Sequence, residues 1–222
     1  MTFAPRLCVF DLDGTLLDSL ADIADAMNDC LALLGQPVFP VSAYGGMVGE
    51  GVVTLCRRAL QPGQEHYEAR LVDLMRARYR VHPMTRTVPY AGLPEAIEQL
   101  SRAGRKLAAL SNKPHELTVQ LMQRHWPGQT FADVRGYTEE ALRKPDPRVL
   151  LDICRRVGVE PRDTCLVGDT PIDVETARRA GTEALGVTWG FRTRAELEAA
   201  GAGRIIDRPG ELAAALGIVR DM

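Results

Sequence analysis

The chain has no C-x-x-C pair, no basic stripe, no internal repeat and no low-complexity tract, and each absence removes a class of protein. Its five cysteines (Cys8, Cys30, Cys56, Cys154 and Cys165) are odd in number, which argues against a closed disulfide framework and for a reducing compartment. Cys8 and Cys165 fall inside apolar runs and read as small buried hydrophobes. The 27 basic residues nearly match 29 acidic ones and are interspersed with them, so neither nucleic acid nor an anionic membrane is expected as a standing partner. Arg76, Arg78 and Arg80 read as the solvated face of a helix. The N-terminus reaches Asp11 after a very short apolar run, too short for a secretory core or a spanning helix, which makes the cytoplasm the expected location.

What is present is an ordinary globular composition, 45% apolar and 25% charged over 222 residues, enough for a sizeable core with one inserted module. Leu7 to Phe10 is a brief apolar run suited to a buried strand, and it stops at a carboxylate. Leu20, Ile23, Met27, Leu31 and Leu34 then recur at helical spacing, with Ser19 as N-cap and Gly35 beyond the end. Further helices are expected at 51–60 and 65–80, the first preceded by a loop holding Gly45, Gly46, Gly49 and Gly51. After Pro89 the pattern alternates: helix 94–103, strand 106–110, helices 114–124 and 147–157, strand 164–167, helix 171–180 and strand 184–189. Pro94, Pro114, Pro147 and Pro171 mark helix starts, and Gly104, Gly158 and Gly181 mark ends. The fold class that follows is α/β, a parallel sheet interrupted by a helical insert after its first strand.

In extended chain, residues two apart point the same way, so Asp11 and Asp13 can face one pocket at the end of the first strand while Leu12 packs behind. Gly14 lets the chain turn sharply there. Strand ends of this kind are where doubly wound sheets place their sites. One carboxylate can attack phosphorus, and the other can give a proton to the leaving group and later take one from water.

Three further segments suit the same chemistry. Ser111, Asn112, Lys113 and Pro114 join a strand end to a helix start, a place that favours phosphate, although Ser111 would serve equally as an N-cap. Lys144 precedes another helix start and can neutralise a transferring phosphoryl group, while Asp146 reads as the cap of that helix. Asp169 and Asp173 lie four apart at a first helical turn and can share a face. If these four carboxylates converge, each like-charged pair costs up to about 4 kcal/mol at about 4 Å and an effective dielectric near 20. A cation offsets that cost, and hard oxygen donors favour Mg2+; none of His66, His82, His115 or His125 is needed.

Together, DLDGTLLDS (11–19), LSNKP (110–114), RKPDP (143–147) and VGDTPIDV (167–174) resemble the haloacid dehalogenase superfamily and match the order of motifs in its phosphatases. The resemblance implies a Rossmann-like doubly wound core from 1–18 and 85–222, with a helical C1 cap at 19–84. It also implies Asp11 as nucleophile and metal ligand, and Asp13 as acid/base with its carbonyl on magnesium. Asp169 would ligate directly and Asp173 through water or indirect contacts, with Ser111, Asn112 and Lys144 on phosphate. The stretches GGMVGEGVVTLCRRAL (45–60) and GVTWGFRTRAELEAAGA (186–202) are similar to phosphoglycolate phosphatases, which implies a small phosphorylated metabolite as substrate. Arg57 or Arg58 on the cap is expected to meet its non-phosphate end. A phosphomutase would share every core residue, whereas a non-catalytic sensor would not need so complete a set of reactive groups.

Overall fold

The computed structural model describes residues 4–81 and 84–218, so His82 and part of the end of the expected insert lie outside the described residues. The first strand, β1 (Leu7–Phe10), is buried throughout. It is flanked by β4 (Lys106–Pro114) and β6 (Thr164–Gly168) in a six-stranded sheet ordered β5-β4-β1-β6-β7-β8, where β5 is Asp133–Tyr137, β7 Glu183–Val187 and β8 Ile205–Ile206. Every pairing in it is parallel. Phe10 stands in register with Ala109 on one side and Val167 on the other, so residues 11, 110 and 168 emerge side by side. The chain passes from β1 outward through β4 and β5, then returns to lay β6 on the other side of β1, which makes this edge a topological switch point.

The two faces of the sheet explain the alternation of its residues. Leu7, Val9, Ala108, Leu110 and Leu166 pack with α6 (Arg148–Val157) and α7 (Pro171–Ala180). Cys8, Phe10, Leu107, Ala109, Cys165 and Val167 belong to a larger cluster with α4 (Leu93–Arg102) and α5 (His115–His125). A strand covered on both faces must be apolar at every position, hence the unbroken runs. Truncating Phe10 to alanine at the centre would cost about 3–5 kcal/mol. All five cysteines are buried and free, and burial pushes the Cys8 thiol up to about 12. No helix among the described residues is long and apolar enough to cross a membrane.

The insert leaves and rejoins the sheet through a short antiparallel pair, β2 (Leu17–Asp18) with β3 (Val88–Pro89). Between them lie α1 (Leu20–Leu33), α2 (Gly51–Ala59) and α3 (Glu68–Val81); residues 65–67, expected as helix, form a 3-10 turn before α3. Asp22 on α1 is buried and accepts hydrogen bonds from Arg86 N at 3.0 Å, Thr87 N at 2.7 Å and Thr87 Oγ1 at 2.7 Å. One carboxylate thus fastens the outgoing helix to the returning strand.

The four helices expected after residue 89 lie within a residue of their expected bounds, whereas α8 (Arg194–Ala199) and α9 (Leu212–Ala215) have no counterpart among the expectations. Gly158 and Gly181 adopt left-handed conformations that close α6 and α7. Asp146 Oδ1 accepts Arg148 N at 2.9 Å, although Pro147 and not Asp146 stands at the N-cap of α6. The strand expected at 106–110 continues to Pro114, and two further expectations need correction. The strand expected to run to 189 ends at Val187, because the chain beyond it turns back over the sheet edge. Ser19 stands at the N-cap of α1 but makes no cap bond; its hydroxyl is given to Asp13 instead.

Candidate active site

Asp11 follows β1 directly, and its backbone N–H stays on the ladder, donating to Val167 O at 2.9 Å. Its Oδ1 accepts Leu12 N at 2.7 Å and lies 2.8 Å from Lys144 Nζ. Lys144 comes from the loop before α6 and also reaches Asp173 Oδ1 at 2.6 Å. Asp11, Asp169 and Asp173 each place a carboxylate oxygen within 4.8 Å of the others.

Local structure holds each carboxylate in place. Asp169, at the end of β6, accepts Thr15 Oγ1 on Oδ1 at 2.9 Å and Phe191 N on Oδ2 at 2.8 Å. Asp173 closes a capping box at the start of α7, where its Oδ2 accepts Thr170 Oγ1 at 2.7 Å and Thr170 N at 3.2 Å. Gly14 has a φ of +87°, and a Cβ there would fall onto the Asp169 carboxylate. A Cβ at Gly190 would collide with Gly14 O and the same carboxylate, so two glycines frame Asp169.

Burial pushes the carboxyl of Asp11 well above the usual range; Lys144 opposes this, while Asp173 and Asp169 add to it. Burial, reinforced by Asp173, likewise raises Asp169 to about 7. Desolvation acts to lower Lys144, yet Asp11 and Asp173 outweigh it and hold the ammonium charged above its ordinary range. Three carboxylates against one ammonium leave the buried cluster short of positive charge. All the donors are hard oxygens without sulfur or imidazole, which fits a divalent cation of the magnesium type.

Asp13 stands apart from that cluster. Its Oδ1 accepts Ser19 Oγ at 2.6 Å, and Lys113 Nζ donates to both of its oxygens, at 3.0 and 2.9 Å. Lys113 received no role from the sequence, although a period-two signal was available: β4 continues to Pro114, so Ser111 and Lys113 share a side as Asp11 and Asp13 do. Ser111 Oγ accepts Lys113 N at 3.2 Å and, as a hydroxyl, retains its own proton to donate. Asn112 spends its side chain on backbone, accepting Lys144 N at 2.7 Å and donating to Lys144 O and Gly49 O at 3.0 and 3.1 Å.

Asp11, Asp13, Ser111, Asn112 and Lys113 line a narrow pocket with a cavity volume of about 30 Å³, whose opposite wall comes from the insert. That wall is mostly apolar, with Ile23, Val48, Val52 and Leu55 joined by the ring of Tyr79. Burial and the charge of Asp13 raise the Tyr79 phenol far above its normal range. The glycine loop of the insert is tied to the sheet edge by Asn112, by Arg143 on Glu50 O and by Arg192 on Gly45 O, Gly46 O and Val48 O. Arg57 and Arg58 do not line the pocket. Arg57, 62% exposed, pairs with Glu68 at 2.9 Å, and Arg58 turns to Glu50 and Met47 O. Both occupy the side of α2 opposite its buried Val52, Leu55, Cys56 and Ala59.

A sequence model of the haloacid dehalogenase-like hydrolases matches residues 5–181. A phosphoglycolate phosphatase of Pseudomonas putida is 34% identical over 210 residues, covering 91% of this chain and 76% of its own length. Another, from Aquifex aeolicus, is 33% identical over 186 residues, covering 84% of this chain and 86% of its own. Among solved structures, a haloacid dehalogenase-like hydrolase from Streptococcus pneumoniae superposes with a TM-score of 0.86 at 25% identity, covering 96% of this chain and 99% of that one. A candidate phosphoglycolate phosphatase from Lactobacillus delbrueckii subsp. bulgaricus gives 0.88 at 28% identity, covering 98% and 100%.

Proposed function

The chain belongs to the haloacid dehalogenase-like hydrolases, and we propose that it is a magnesium-dependent phosphatase of a small phosphate monoester, with phosphoglycolate the substrate its relatives' names indicate. The observation that carries this reading is the convergence of Asp11, Asp169 and Asp173, with the Lys144 ammonium bound to two of them. In this reading residues 19–84 are the cap over the pocket, and the setting is cytoplasmic.

Both hydrogen-bonding partners of the Asp11 carboxylate fall on Oδ1, which leaves Oδ2 to attack phosphorus and form the acyl phosphate. Lys144 offsets charge where an anionic nucleophile approaches an anionic ester. Ser111 donates its hydroxyl proton to a phosphoryl oxygen. Asp13 gives a proton to the departing alkoxide, then draws one from the water that cleaves the acyl phosphate, so one residue serves both halves of the reaction. Ser19 and Lys113 fix its orientation. Magnesium, when bound by Asp11, Asp169 and the carbonyl of Asp13, with Asp173 assisting, supplies positive charge beside the phosphoryl oxygens.

The test is release of inorganic phosphate from a panel of phosphate esters with and without magnesium. Magnesium-dependent release, with phosphoglycolate showing the highest kcat/KM, is expected; release from no ester, or release indifferent to chelator, would contradict it.

A further inference from the structure

Lys113 is the one basic residue among those lining the pocket, and its side chain is only 2% exposed. An ammonium carries three N–H donors. Two of them go to Asp13, and among the described residues no acceptor takes the third, since the other close neighbour is the Tyr79 ring, with its centroid 5.3 Å away. For Asp13 to protonate the leaving group, the ester oxygen must come within hydrogen-bonding reach of it, about 2.6–3.2 Å. A carboxylate one carbon beyond that oxygen is then brought to Lys113, which already straddles Asp13. The insert's wall offers the same carboxylate nothing comparable: Ile23, Val48, Val52 and Leu55 would leave it desolvated and unpaired.

We propose that Lys113 is the specificity residue of this site, bridging Asp13 and an anionic group carried one carbon beyond the ester oxygen of the substrate. This rests on the phosphatase reading above and deepens it: the class selected is the phosphate ester of a 2-hydroxy acid, and the selecting charge comes from the sheet, whereas Arg57 and Arg58 on the insert are spent on Glu68 and Glu50. Buried at 2% exposure, the ammonium is poorly screened, so the preference should survive added salt better than one conferred by a surface arginine.

The experiment compares kcat/KM for 2-phosphoglycolate and for its neutral isostere 2-phosphoglycolamide in the wild type, K113Q, K113M and K113R. A buried charge-assisted hydrogen bond corresponds to ~10–100-fold, so the wild type should favour the acid by about that factor. The ratio should fall to near one in K113Q and K113M and recover in part in K113R. Because both esters are assayed on one preparation, the folded fraction cancels, and K113Q, which retains a donor for Asp13, carries the test if K113M does not fold. A wild-type ratio near one, or a ratio unchanged in K113Q, overturns the role of Lys113 and leaves the phosphatase reading standing. Release of phosphate from neither ester, nor from any other, removes both together.

Discussion

Restoring magnesium to metal-stripped protein should raise its melting temperature, and the size of the rise follows from the acidic cluster. Two unit charges 4.8 Å apart repel by about 3.5 kcal/mol at an effective dielectric near 20, and three carboxylates lie within that distance of one another. Lys144 relieves part of this on Asp11 and Asp173 but makes no bond to Asp169. A cation bound only by the folded state at about a hundred times its Kd adds ~2.7 kcal/mol, which for a chain of this length is a rise of roughly 5–11 °C. The effect must depend on pH. With Asp169 titrating at about 7 in the metal-free fold against an ordinary value of 3.8, the folded chain holds a proton that the unfolded chain has lost throughout that window. Metal-free stability from this group therefore declines as pH rises from about 4 to 7, above which the Asp169 carboxylate is charged. Differential scanning fluorimetry at pH 8 and at pH 5.5 should show the larger magnesium-dependent rise at pH 8, where no proton competes for Asp169. Asp169→Asn can keep both existing bonds, its oxygen accepting Phe191 N and its amide donating to Thr15 Oγ1, so the variant should fold yet lose most of the rise. An equal rise in Asp169→Asn, no rise in the wild type at pH 8, or a larger rise at pH 5.5 would refute the reasoning.

Other perturbations test separate parts of the site. Lys144→Met leaves Asp11 and Asp173 buried without their shared ammonium, and chemical denaturation should show a loss of about 3–5 kcal/mol, with turnover reduced ~10²–10³-fold. Gly190→Ala drives a Cβ into Gly14 O and the Asp169 carboxylate; a cost of ~1–3 kcal/mol is expected, and calorimetric titration should show weakened magnesium binding. Asp22→Ala strips the acceptor from Arg86 N, Thr87 N and Thr87 Oγ1 at the base of the insert. Each buried donor left unsatisfied costs about 1–3 kcal/mol, and amide exchange at residues 86 and 87 should accelerate.

The candidate catalytic carboxylates are legible because their signals are local. A four-residue apolar run ending in Asp11 can be little else than a buried strand delivering its next residues to a sheet edge, and prolines and glycines bracket the helices after it. The edge strand β5 carries no such signal, because Asp133–Tyr137 has no apolar run: Arg135 ties it to Asp133 and Asp152 near the surface. The apolar run ends at Leu110 and so gives Lys113 no role, although the last four residues of β4 remain extended. Arg57 and Arg58 attracted attention as charges near a glycine loop, yet Val52, Leu55, Cys56 and Ala59 define the buried stripe of α2 and leave both arginines outside it. Nothing in the sequence around Gly190 reveals that it must lie against Gly14, since that contact exists only when the chain after β7 folds back across the end of β1.

The most direct measurement is chemical trapping of the phosphorylated enzyme. Wild-type protein mixed with phosphoglycolate and magnesium, quenched and reduced with borohydride, should carry a homoserine at position 11 when its peptides are sequenced by mass spectrometry, and Asp11→Asn should carry none. A modified residue elsewhere, or an unmodified position 11 in protein that is turning over its substrate, would contradict the assignment of Asp11 as the group that receives the phosphoryl.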